Sequence, residues 1–71
     1  MDKKQIINEE ISKAEKDAFL LSIQLKFWTN IVSVEKGTTN EQSLMNVTGQ
    51  KNFIDRYLKF LKEGQKELIQ N

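Results

Sequence analysis

Cysteine, histidine and proline are all absent from this 71-residue chain. Without cysteine, disulfide stapling is excluded. With histidine missing as well, so are thiolate and imidazole metal sites and any catalysis that relies on a His or Cys base or nucleophile. Charge of one sign is lacking too: eleven basic residues face ten acidic ones, for a net charge of +1. The balance is even along the chain, six of each sign in residues 1–36 and five against four in 37–71. No electrostatic footprint for nucleic acid or an anionic membrane results. Long apolar runs are also missing. Ile6 and Ile7 follow Lys3 and Lys4 but are cut off by Asn8, Glu9 and Glu10, so neither a signal-peptide core nor a membrane span can be drawn. The expected location is the cytosol, or a particle assembled there. Asn46-Val47-Thr48 fits the glycosylation pattern, but without a secretory route it is a chance match.

What is present is a pattern. Ile7, Ile11, Ala14, Ala18, Leu21, Leu25, Trp28 and Val32 are spaced 4, 3, 4, 3, 4, 3, 4, an unbroken heptad seam. Beyond Gly37 a second seam answers it: Leu44, Val47, Lys51, Ile54, Leu58, Leu61, Gln65 and Leu68, spaced 3, 4, 3, 4, 3, 4, 3. Two heptad runs about one break predict an all-α, coiled-coil-like, antiparallel two-helix hairpin occupying residues 1–71 as one domain. A core of this size is marginal without support, so completion to a four-helix bundle by dimerisation or by a partner is expected.

Asp2 and Gln5 form a capping box that starts the first helix near residue 3 and carries it to about 35. Gly37 is placed as a left-handed C-cap glycine, in a turn over 36–39. Thr38 and Glu41 form a second capping box, and the second helix spans about 40–69. Thr48-Gly49 offers an alternative break at 48–49, because glycine costs about 1 kcal/mol inside a helix and threonine is a competent N-cap. A small β-ribbon over the β-branched residues between 29 and 39 competes with helix at the tip. With the turn centred there, facing residues have numbers summing to about 76, within one helical turn. Ala14 and Ala18 then oppose Leu58 and Leu61, small against large. Lys51 and Gln65 are the polar seam members. Lys51 is expected to lay its methylenes on the seam and lead its ammonium to water, with register or oligomer specification as the alternative role.

With Ile11 and Leu44 assigned to position a, Leu20, Phe27 and Val34 fall at c, Ile31 at g and Ile23 at f of the first helix. Phe53 and Phe60 fall at c and Tyr57 at g of the second. In an antiparallel pair both g positions flank the same side, so these eight residues gather there as a candidate interface, with a second copy of the chain or another protein as the partner. The opposite e and b side is polar, with Phe19, Met45 and Ile69 as exceptions.

Chemistry is hard to write on this chain. Its carboxylates have no tuning neighbours, no phosphate-cradling loop or nucleophile elbow occurs, and no cofactor, metal or enzymatic activity is expected. Arg56, Lys59, Lys62 and Lys66 form a basic strip along the second helix. A dimeric hairpin with such a strip is similar in shape to the small plasmid copy-number regulators that bind RNA. No motif matches them, and Asp55, Glu63 and Glu67 interrupt the strip. Glu35-Lys36-Gly37 before a Thr-rich turn resembles the loop of the small sporulation aspartyl-phosphate phosphatases, but their Ser-Gln-x-Leu-Asp signature is missing. The expected role is protein–protein interaction: a small structural or assembly component of a phage or cellular complex, or a regulator that docks on a target and blocks it.

Overall fold

A computed structural model describes the backbone of residues 2–70 and the side chains of residues 2–68. Two long helices, α1 (Lys3–Val34) and α2 (Thr38–Gln70), fold back on each other as a hairpin measuring 52 × 14 × 14 Å. The long dimension is what about 32 residues at 1.5 Å each supply.

Asp2 occupies the N-cap of α1, its Oδ1 accepting the Lys4 N–H at 3.2 Å. The other half of the expected capping box does not form, because the Gln5 amide turns outward to donate to Glu9 one turn on, at 3.4 Å. The loop is shorter than the sequence suggested. α1 ends on Glu35, whose N–H still donates to the Ile31 carbonyl at 2.7 Å. Gly37 is not a left-handed C-cap: no residue among those described has positive φ. It sits immediately before α2 instead, and its carbonyl accepts the Glu41 N–H at 2.9 Å, the first bond of the new helix. Thr38 is therefore already helical rather than capping. The Asn40 side chain ties the two ends together by donating to the Glu35 carbonyl at 3.0 Å.

Helix prevails at both places where an alternative competed. At the tip, Thr29 and Ser33 donate their hydroxyls to the carbonyls of Leu25 and Asn30, each at 2.7 Å, so residues 29–34 continue α1 and no ribbon forms there. At 48–49 the Thr48 hydroxyl bonds back to the Leu44 carbonyl at 2.7 Å instead of capping a new helix, and α2 runs unbroken through Gly49.

Among the described residues, Ile11, Ala14, Val47 and Leu61 are the buried hydrophobic ones. Ile7, Ile54, Tyr57 and Leu58 pack around Ile11, Ala14 and Leu61. All of the remaining seam positions are half-buried except Leu68, which is exposed at the open end. Across the hairpin, Ile7 beside Gly64 and Asn8 bonded to Gln65 give residue numbers that sum to 71 and 73, to either side of 72. That is one helical turn from 76, as a connection centred on residue 36 instead of 38 requires. Ala14 lies in the buried cluster with Leu61, and Leu58 packs against it, small against large, while Ala18 is half-buried outside that cluster because the shifted register sets it level with Ile54. Lys51 stays half-buried and bends its ammonium to both carboxylate oxygens of Asp55, at 2.8 and 2.6 Å, one turn further along α2. Gln65 donates across the hairpin to Asn8 near the open end.

Candidate interaction face

The eight residues assigned to the c and g side separate by position. The g residues Ile31 and Tyr57 flank the seam and are half-buried. The f and c residues Ile23, Leu20, Phe27, Val34, Phe53 and Phe60 point outward, with Phe27 at 55%, Phe53 at 64% and Phe60 at 71% of their full exposure. A side chain at g lies against the facing helix, whereas one at c stands beyond it. Burial therefore falls off with distance from the seam.

Aromatic contacts tie part of this face to the core. Phe27 meets Trp28 edge-on, with ring centroids 5.3 Å apart and planes at 77°. Phe53 and Tyr57 lie parallel to within 13°, with centroids 6.4 Å apart. The Tyr57 hydroxyl donates to the Glu10 carboxylate at 3.0 Å, joining two g positions across the hairpin. This bond, with partial burial and the nearby negative charge added, raises the Tyr57 pKa above its ordinary 10.0.

Midway along the face runs an open groove between the helices. Asp17, Leu20, Leu21 and Gln24 of α1 form one wall; Met45, Gly49, Gln50 and Phe53 of α2 form most of the other. Leu20 and Phe53 are thus brought together, while Phe27 and Val34 lie towards the loop and Phe60 towards the open end. Met45 lies elsewhere than its expected place as an exception on the polar side: it stands on the rim of this groove, because Met45, Gly49 and Phe53 follow one another at intervals of four along one stripe of α2. That spacing was the available signal.

The basic strip is less coherent. Arg56, Lys59, Lys62 and Lys66 are all exposed. Lys59, Lys62 and Lys66 border a shallow depression that also holds Asp55 and Glu63, and Lys62 lies 4.0 Å from Glu15 of α1. Acids placed among the lysines divide the positive field into local pairs. Of the other two exceptions assigned to the polar side, Phe19 is exposed, at 66%, and Ile69 has its side chain outside the described residues.

Among the described residues no group of three or more acidic, His or Cys side chains could hold a metal ion. None of the described helices is long and apolar enough to cross a membrane. The chain matches no protein-family model, and no curated protein or solved structure matches it.

Proposed function

We propose that this chain is a non-enzymatic protein-interaction module, a small structural or assembly component that self-associates through its aromatic face to complete a four-helix bundle. The observation that carries the reading is the disproportion between inside and outside. Among the described residues four hydrophobic ones are buried, while Leu20, Ile23, Phe27, Val34, Phe53 and Phe60 stay exposed on one side of the hairpin. With aromatic side chains of roughly 150–250 Å² each, these six leave on the order of 600 Å² of apolar surface in water, at the upper end of what monomers present. Covering them supplies the buried area that two helices alone lack.

Sedimentation equilibrium over a range of concentrations tests this. The unmodified chain is expected to associate, a Phe27→Ser/Phe60→Ser variant to lose association, and a Lys59→Ser/Lys66→Ser variant on the polar side to keep it. Equal association of all three would place the interface elsewhere. An ordered monomer at every concentration would direct the same face to a different protein and make the chain a docking regulator.

A further inference from the structure

Gly49 has no use inside the hairpin. It lies in the middle of a continuous helix, where glycine is disfavoured. Its φ is not positive, and a Cβ placed on it would meet no atom within 4 Å. What the missing side chain does create is a notch in the groove, with Met45 and Phe53 one turn to either side. Glycine lets a backbone be approached closely, and at this position the approach can come only from outside the hairpin.

Three features choose the occupant. The core needs its cover whenever the chain is folded: among the described residues it has four buried hydrophobic residues and no fully enclosed large side chain, and a second copy is the partner always present in proportion. The area suits two copies, since a face of 52 by 14 Å is close to the ~800 Å² that each partner contributes to a standard interface. The charges choose an orientation. On the c and g side the open-end half carries Lys3, Glu10, Lys13, Asp17 and Glu67, a net charge of −1, whereas the loop half carries the uncharged Gln24, Ser43, Asn46 and Gln50. Two copies with their loops at the same end would bring both net-negative halves together; loop over open end sets each against an uncharged half.

We propose that the aromatic face is covered by a second copy laid antiparallel, loop over open end, about a two-fold axis through the groove at the level of Leu20 and Phe53. This rests on reading that face as a protein-interaction surface. In such a dimer Phe27 of one hairpin shares a layer with Phe60 of the other, and Phe53 of each meets the groove of its mate at the height of Leu20.

The absence of cysteine makes the test direct. In a Lys36→Cys chain carrying one spin label at the loop, the two labels of a dimer are expected near the 52 Å length of the hairpin apart; a separation near its 14 Å breadth would overturn the antiparallel arrangement. Gly49→Leu fills open space in the isolated hairpin, so helix content by circular dichroism is expected to hold or rise, while dimer affinity falls by roughly tenfold or more. Unchanged affinity would overturn the contact at the notch. The Phe27→Ser/Phe60→Ser chain separates the two levels. If it dissociates while the labels lie close or Gly49→Leu associates normally, the geometry fails and the aromatic-face reading stands. If it associates like the unmodified chain, that reading fails too. A monomer at all concentrations rules out the second copy.

Discussion

The Tyr57 hydroxyl donates to the Glu10 carboxylate at 3.0 Å across the hairpin, so the position that borders the aromatic face is also a pin between the helices. The bond holds only while the phenol keeps its proton. Because the folded-state pKa is raised above 10.0, any stability this pair contributes is fully present below pH 10.0 and is lost as pH rises through the higher folded value. An ultraviolet titration is expected to show Tyr57, the single tyrosine, ionising above 10.0, with Glu10→Gln moving the midpoint back down. A midpoint that Glu10→Gln leaves in place would mean that the carboxylate does not govern the phenol.

Ala14 is buried against Leu58 and Leu61, and no larger side chain fits without separating the helices. Ala14→Leu is expected to lower stability by about 1–3 kcal/mol through overpacking, and Leu61→Ala by about 2–5 kcal/mol through the cavity it leaves. Urea unfolding followed by circular dichroism measures both.

Lys51 interrupts the seam of α2 but spends its charge on Asp55 at the surface. An exposed pair of this kind contributes about 0–1 kcal/mol, less than a leucine gains by burying its side chain in the same place. Lys51→Leu is therefore expected to raise the urea midpoint, and Asp55→Asn to change the unfolding free energy by less than about 0.5 kcal/mol. A drop with Lys51→Leu, accompanied by a change in oligomeric state, would assign Lys51 the register-setting role instead.

Gly64 differs from Gly49 in having a neighbour. A Cβ there would come within 3.3 Å of the Ile7 Cδ1, the free end of a half-buried side chain near the open end of the hairpin. The terminal methyl has room to give by a few tenths of an ångström, so Gly64→Ala is expected to gain part of the ~1 kcal/mol helix-propensity difference. Gly64→Leu, which must displace Ile7 altogether, is expected to destabilise. Thermal unfolding of the two variants distinguishes them.

The hairpin was legible because heptad spacing reports side-chain direction wherever helices pack, and fifteen of the sixteen seam positions are covered; Leu68 at the open end is the exposed one. The loop departs from the sequence expectation because glycine after a helix and glycine before one look alike in sequence. The backbone at Gly37 chose the second, and that choice moved the register by a turn. Thr48-Gly49 was ambiguous for a related reason: a threonine hydroxyl can cap a new helix or bond back to the old one, and here it reaches the Leu44 carbonyl. The aromatic side could be mapped from heptad positions alone. Its division into half-buried g and exposed c residues, and the groove that Met45 and Gly49 help to shape, came from the separation of the two helices.

The central claim is that the hairpin is incomplete until another copy covers its aromatic face, and the concentration dependence of thermal unfolding tests it most directly. The midpoint is expected to rise with chain concentration, because association stabilises the folded state by mass action. In the Phe27→Ser/Phe60→Ser variant it is expected to be lower and independent of concentration. A high midpoint that stays fixed for both chains across the concentration range would show that the two helices suffice by themselves, and would contradict the claim.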